Sequence, residues 1–244
     1  MMWRDDLRGI FYIALKDLRA YYLKPPNISW GIIFPFALIL AFTIRQPGEM
    51  RDLAPGLLGM TVLFGTTSME AIVITFERRI GALERLMLAP VSLPALLLGK
   101  VLGGMAFGLV TTVAVLAVAV AVLGLWGINW PLLILALVLS AAAFSALGAF
   151  VSVTVREVFE AQTLANFIRF PMIFLCGVFV PLSAMPPALR LLARCLPLTY
   201  AVEALRGALA GATFWTAGVN LLVLGGFAVA LFALATKTLA ARLD

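Results

Sequence analysis

Long uninterrupted apolar runs constrain the fold of this chain more than any other feature of its sequence. Of its 244 residues, 63% are hydrophobic and 12% are charged, whereas a typical soluble domain carries about 25% charged residues. A chain of this size cannot bury so much apolar surface in a water-soluble core, so the excess must face lipid. Backbone amides in lipid must be paired internally, which leaves helices or a closed barrel, and continuous rather than alternating apolar runs exclude the barrel. The sequence therefore predicts an all-α integral membrane protein.

The apolar runs predict six transmembrane helices in a single domain that covers residues 1–244. A bilayer requires roughly 20 residues for each span, and the first run is short and contains Pro35. The predicted spans are Ile28–Ile44, Leu53–Phe76, Ala95–Leu125, Pro131–Val155, Ala161–Leu182 and Phe214–Leu239.

The sequence pattern of residues 1–25 predicts an amphipathic helix that lies on the membrane surface. Apolar and aromatic residues recur there at helical spacing, at Trp3, Leu7, Ile10, Phe11, Ala14, Leu18 and Tyr21. A basic opposite face and the position before a span favour an interfacial helix over a helix of a soluble core. The charged start of this segment is also unlike a signal peptide.

The basic residues predict the orientation of the chain. With six spans and the N-terminus in the cytoplasm, 13 of the 18 basic residues lie on the cytoplasmic side, which fits the positive-inside rule and places both termini in the cytoplasm. Arg45, Arg51, Arg190, Arg194 and Arg206 lie on the outer side. The net charge of +6 is therefore interpreted as a topology signal and a source of contacts with anionic lipids, and not as a nucleic-acid surface.

A charged segment at residues 77–90, between the second and third spans, is the leading candidate for a functional site. Ile80, Leu83 and Met87 share one helical face. A compact charged helix held between two spans can dock into a partner and move both spans together, although spacing alone favours a plain interfacial helix. The candidate docking residues are Glu77, Arg78, Arg79, Gly81, Leu83, Glu84 and Arg85.

A second set of residues is a candidate substrate path. Glu70 lies within an apolar span, where an ionisable residue costs about 2.5–3.5 kcal/mol on insertion scales and is a functional hypothesis by default. Phe170, Phe174 and Phe179 in the fifth span are candidates for an apolar lining. The competing interpretations are an ion pair between Glu70 and Lys100 or Arg169, and phenylalanines that face lipid or the core.

The sequence predicts a protein without catalytic, metal or cofactor residues of its own. It contains no histidine, and its two cysteines, Cys176 and Cys195, lack metal-site spacing. A phosphate-binding loop requires Gly-x-x-x-x-Gly-Lys-Ser/Thr. The one Gly-Lys pair, Gly99-Lys100, is followed by valine, so any ATP hydrolysis must come from another polypeptide.

Two segments in the right order resemble the ABC-2 type transporter permeases. The first runs from Glu77 through Gly81-x-Leu83-Glu84-x-Leu86 to Pro90-Val91-Ser92, and the second from Pro171 through Gly177 and Pro181 to Leu196-Pro197-Leu198-Thr199-Tyr200. The resemblance implies that residues 77–90 are a cytoplasmic coupling helix and that residues 183–213 form short re-entrant helices in the outer leaflet. It also implies two ABC ATPase subunits carrying ATP and Mg²⁺, and a second permease chain in a homodimer.

The same resemblance implies a function in export. The branch that fits best moves drugs, antibiotics or lipid-like substrates out across the bacterial inner membrane, with the substrate path between the two halves. Exporters of polysaccharide, lipo-oligosaccharide or ions are the alternatives within the family. Outside it, an ATPase-independent ion-coupled or channel protein would require several buried ionisable residues, and a membrane-anchored scaffold is a third class.

Overall fold

The computed structural model describes residues 2–24, 50–124, 127–210 and 214–242, together with the single positions 33, 37 and 40. All regular structure in these ranges is helical. A π-helical turn, Leu18–Tyr22, continues the first helix, and a 3₁₀ turn, Leu182–Ala184, precedes the seventh. The α-helices are α1 (Met2–Asp17), α2 (Met50–Arg79), α3 (Ala82–Met87), α4 (Leu93–Leu123), α5 (Trp130–Thr154), α6 (Val158–Leu175), α7 (Pro187–Arg194), α8 (Pro197–Leu209) and α9 (Phe214–Ala240). The predicted first span lies outside the described ranges.

Four helices of the described ranges are long and apolar enough to cross a membrane. They are Asp52–Arg79, Leu93–Leu123, Trp130–Thr154 and Ala217–Ala240, and they match the predicted second, third, fourth and sixth spans to within a few residues. This confirms an all-helical protein with several membrane-spanning helices, while the count of six stays a prediction.

The predicted fifth span differs from the structure. Its helix, α6, has 18 residues and ends at Leu175 instead of Leu182. Gly177 adopts a left-handed conformation with φ of +81°, and an α-helix cannot continue through such a residue. Helix α6 also carries Glu160 and Arg169, and it is not among the four candidate membrane spans of the described ranges.

The centre of the bundle is formed by α2 and α5. Helix α2 packs against α4, α5, α6 and α8, and α5 packs against α2, α4, α8 and α9. Their shared core buries large apolar side chains such as Leu58, Leu63, Leu132, Phe144 and Leu205. Helix α1 lies along α4, so the predicted surface helix packs against a span as well.

Small residues allow the helices to approach closely. A Cβ on Gly99 would lie 2.9 Å from the Ile13 Cβ of α1, and a Cβ on Gly104 would lie 2.7 Å from the Ser145 Oγ of α5. Side chains with a β-carbon do not fit at these positions. The glycines of α4 therefore serve packing within the chain.

Two short helices, α7 and α8, occupy most of the predicted outer segment, residues 183–213. Each begins with a proline, Pro187 and Pro197, as is common in the first turn of a helix. Helix α8 packs against α2, α5 and α9 and buries one face among them. The end of the bundle that contains α7 and α8 is opposite to the end that contains α1 and α3, because each long helix runs from one to the other.

Candidate coupling site

The charged segment folds as the last turn of α2, a sharp break and the short helix α3. Glu77, Arg78 and Arg79 complete α2, so the predicted helix boundary at Glu77 differs from the structure. Gly81 then adopts φ of +70°, a left-handed conformation that favours glycine over residues with a side chain. Helix α3 follows at once and ends before Pro90, which produces a compact turn between two long helices.

Four charged residues form a cluster beneath this turn, which we call the ion-pair cluster: Lys16, Asp17, Glu77 and Lys100. The Lys16 Nζ lies 2.8 Å from an Asp17 carboxylate oxygen, and the Lys100 Nζ lies 3.1 Å from the other. The two Glu77 oxygens pair with Lys16 and Lys100. All but Lys16 are almost completely buried. Two cations and two anions neutralise each other, so the cluster joins α1, α2 and α4 without a net charge.

The pKa of Lys16 reflects this environment. Partial burial lowers the pKa, but the carboxylates of Asp17 and Glu77 outweigh burial and raise it above its ordinary value. Lys16 is therefore held in its charged form. Because the pKa of Lys16 is raised in the folded state, the folded state binds this proton more tightly than the unfolded state does. The ion pairs of Lys16 therefore stabilise the fold.

A second contact ties α1 to the start of α4. The Asp6 carboxylate accepts a hydrogen bond from the Ser92 backbone N–H at 2.8 Å and another from the Ser92 hydroxyl at 3.0 Å. Ser92 is the N-cap residue of α4, where unpaired backbone N–H groups favour a nearby negative charge. Helix α1 is thus bonded to the chain on both sides of α3.

One face of the segment is anchored and the other is exposed. Leu83 is 1% exposed and packs with Ile74 and Leu96 in a separate apolar cluster at this end of the bundle. The exposed side chains include Glu84, Arg85 and Leu88, the last with 86% exposure. An anchored short helix that presents charged and apolar side chains to solvent has the form of a docking element.

Two of the predicted docking residues have contacts within the chain. The Arg78 guanidinium donates to the Val155 carbonyl at the end of α5, where cations stabilise the unpaired carbonyls of a helix. Arg79 forms an exposed ion pair with Glu157 at 3.5 Å. Beside them lies a cavity of about 370 Å³ lined by Arg78, Leu83, Glu84, Met87, Arg156, Leu239 and Arg242.

Comparison with known proteins identifies the family. The model of the ABC-2 type transporter family matches residues 8–210, which is most of the chain. This chain belongs to the ABC-2 type transporter family. It is 28% identical over 215 residues to the inner membrane transport permease YadH of Escherichia coli strain K12, a match that covers 81% of this chain and 83% of that protein. The proteins of the same name from Escherichia coli O157:H7 and Shigella flexneri match equally.

The predicted substrate-path residues of this ABC-2 permease do not form one site. Glu70 is fully buried, and the Tyr22 hydroxyl donates to one of its oxygens at 2.9 Å. Phe170 and Phe174 lie on the exposed face of α6, and Phe174 contacts Phe179 with ring centroids 6.1 Å apart. The buried carboxylate and the exposed rings therefore belong to different surfaces.

The predicted ion pair of Glu70 is wrong for both proposed partners. Lys100 binds Asp17 and Glu77 instead. Arg169 donates to the Ala165 carbonyl, the Ser68 hydroxyl and the Asn166 side chain, and its guanidinium lies 4.6 Å from the centre of the Phe64 ring. Among the residues that the structure describes, the second Glu70 oxygen has no hydrogen-bond partner.

Sequence reasoning missed the partners of the coupling segment. Asp6, Lys16 and Asp17 lie in the amphipathic N-terminal segment, and no sequence pattern marks them as part of the coupling site. One signal was available for Lys100, because a lysine within an apolar run requires a buried carboxylate nearby. The carboxylates themselves are 23 and 83 residues away, and no local pattern predicts such contacts.

Proposed function

We propose that this ABC-2 permease is the transmembrane subunit of an ATP-driven exporter in the bacterial inner membrane, with both termini in the cytoplasm. Family membership implies an ABC ATPase partner, and the named relative is an inner membrane permease. Two ATPase subunits, which carry ATP and Mg²⁺, would bind beneath two permease chains. The exported substrate is hydrophobic or amphipathic, such as a drug, an antibiotic or a lipid.

The observation that carries the proposal is the attachment of the coupling segment. Its exposed face has Glu84, Arg85 and Leu88 for a partner, and its buried side is fixed by Leu83. Glu77, at the junction of the segment and α2, belongs to the ion-pair cluster that also holds α1 and α4. A displacement imposed on α3 is therefore transmitted to two long helices together.

Solvent exposure separates the residues that would contact the ATPase from those that would hold the segment in place. Arg79, Glu84 and Arg85 are exposed and would contact the ATPase directly, whereas Glu77 and Leu83 would act by holding the segment in place. Gly81 would supply the break that turns α3 out of line with α2. Arg78 would connect the segment to the end of α5 through the Val155 carbonyl.

The exposed aromatic face of α6 supports a second chain beside it. Phe159, Phe167, Phe170 and Phe174 are each more than half exposed, and an exposed face with four aromatic rings requires lipid or protein against it. We assign this face to the boundary between two identical chains, where the substrate path would lie.

Transport assays with an amphipathic dye, a lipid and a lipid-linked glycan would distinguish the preferred substrate class from the polysaccharide alternative.

The decisive test inverts the charges on the exposed face. The double variant Glu84→Arg with Arg85→Glu keeps the net charge but reverses the pattern, and it should abolish co-purification of the ATPase and its stimulation by the permease. Arg19→Glu, an exposed change on the helical turn that follows α1, is the control and should retain the ATPase. If the double variant binds the ATPase and transports as the parent does, the proposed coupling role is refuted.

A further inference from the structure

Three arginines surround a cavity at the end of the bundle opposite to the coupling segment. The cavity measures about 400 Å³ and lies between α7, α8 and the start of α9. Arg190, Arg194 and Arg206 line it together with one carboxylate, Glu203. The formal charge of these four side chains is +2, so the cavity is an electropositive site that the coupling mechanism does not use.

Two of the arginines build the wall of the cavity. Arg190 donates from Nε to the Leu182 carbonyl and from Nη2 to the carbonyls of Ser183 and Met185, each at 3.0 Å. Arg206 donates to the Gly177 carbonyl at 2.9 Å and pairs with Glu203. These bonds hold the loop before α7 against α8, which gives the cavity a defined shape.

The third arginine is available for a ligand. The Arg194 side chain is exposed and lines the cavity one turn after Arg190 on α7. Within the described part of the chain, no carboxylate or carbonyl pairs with its guanidinium. Its backbone is nevertheless fixed, because the Tyr200 hydroxyl donates to the Arg194 carbonyl at 2.7 Å. An exposed guanidinium that lines a positive cavity on a fixed backbone has its N–H donors open to an anion.

The shape and donors of the cavity favour a phosphate group. A guanidinium presents a planar fork of N–H donors that matches two phosphate oxygens. Arg194 offers the whole fork, and Arg190 keeps its Nη1 without a hydrogen-bond partner among the described residues. Ser183 and Asn220 add neutral polar groups to the lining.

We propose that this arginine cavity binds a phosphate ester. The source is either the headgroup of an anionic lipid or a soluble phosphate ester at the same face of the membrane. The site is distinct from the coupling segment, and binding can be measured on the permease alone. Failure of the proposed export function would therefore leave this proposal standing, and the reverse also holds.

The experiment uses the full chain in dodecyl maltoside micelles, which contain no phosphate, and two probes. Fluorescent phosphatidylglycerol tests the lipid source, and glycerol phosphate, added as a competitor and measured directly, tests the soluble source. Arg194→Gln should weaken binding of the recognised probe about tenfold, which is about 1.4 kcal/mol, because it removes the charge-assisted hydrogen bonds of the guanidinium whose whole fork is available. Arg19→Gln removes one charge elsewhere and should leave binding unchanged.

A graded series separates a site from a general charge effect. Arg194→Glu lowers the formal charge of the cavity from +2 to zero and should weaken binding further than Arg194→Gln. Glu203→Gln raises it to +3 and should tighten binding. Unfolding midpoints should match the parent for both Arg194 variants, because that side chain holds no other part of the chain.

Each outcome of the binding experiment either identifies the source of the phosphate or overturns the proposal. Tight binding of phosphatidylglycerol without competition by glycerol phosphate assigns the site to a lipid headgroup, and the converse assigns it to a soluble ester. Competition between the two shows that the phosphate itself is recognised. If neither probe distinguishes the parent from Arg194→Gln and Arg194→Glu, the proposal is overturned.

Discussion

Replacement of Glu77 by glutamine should destabilise the protein through the ion-pair cluster. The Glu77 side chain is 1% exposed, and its two oxygens pair with Lys16 and Lys100. Glutamine has nearly the same shape, so the change removes charge while packing is kept. The cluster then holds two lysines and a single carboxylate, Asp17, and one positive charge is left uncompensated.

The expected loss in the free energy of unfolding depends on how deeply the ion-pair cluster is buried. Removing one partner of a buried ion pair costs about 3–5 kcal/mol, because the remaining charge is stranded away from water. Here Asp17 still neutralises one lysine, and Lys16 is 39% exposed on its side chain, so solvent reduces the loss. We expect a decrease of about 3 kcal/mol in the free energy of unfolding, at the lower end of that range.

The assay is denaturation of the purified permease by sodium dodecyl sulfate in mixed micelles, followed by circular dichroism. Glu84→Gln is the matched control, because Glu84 is an exposed glutamate on the neighbouring helix α3. Exposed substitutions of this kind usually change stability by less than about 0.5 kcal/mol.

A double-mutant cycle tests whether the charge pair is the cause. Lys100→Met alone leaves an excess negative charge, whereas the double variant Glu77→Gln with Lys100→Met returns the cluster to neutrality. The double variant should therefore cost less than the sum of the single variants, with a coupling energy of about 2 kcal/mol. Simple additivity, or a Glu77→Gln loss no larger than that of Glu84→Gln, would refute the reasoning.

Two further predictions concern helix packing and a helix start. Gly104→Ala should lower the unfolding midpoint, because a Cβ there would lie 2.6 Å from Glu70 Cγ and overpacking costs about 1–3 kcal/mol. Gly226→Ala is the control: a Cβ at Gly226 would have no atom within 4 Å, so the unfolding midpoint should stay unchanged. Glu160 accepts hydrogen bonds from the backbone N–H groups of Arg156 and Glu157, which lower its pKa below 4.5. Its contribution is present above pH 4.5 and is lost as the pH falls through the lowered pKa, so Glu160→Gln should flatten the acid side of the stability profile; an unchanged profile contradicts this.

Much of the architecture was predictable because it depends on local sequence. Lipid-facing helices are continuous apolar runs, so the helices that begin near Leu53, Ala95, Pro131 and Phe214 could be placed to within a few residues. The resemblance to the ABC-2 permeases implied short helices within residues 183–213, where α7 and α8 lie; their re-entry into the outer leaflet stays a prediction. The end of α6 was not predicted, since an apolar run continues past Leu175 while the backbone turns at Gly177.

The candidate coupling site was also predictable only in part. The charged segment between two apolar helices was evident from composition, whereas the helix break at Gly81 was not predicted. The division of its residues into docking and anchoring groups did not follow from composition, because Glu77 and Glu84 are alike in sequence. One is buried against Lys100 and the other is exposed, and only the packing of α1 against α4 determines which.

The amino-acid sequence by itself determined that this chain is a bundle of membrane-spanning helices with a charged turn between two of them. Hydrophobicity and helical periodicity are properties of neighbouring residues, and they are legible without a structure. The tertiary structure alone decided that Asp17 meets Lys100 and that three arginines enclose one cavity. These contacts join residues far apart in the chain, and their energies depend on burial and distance, which arise only when the helices pack.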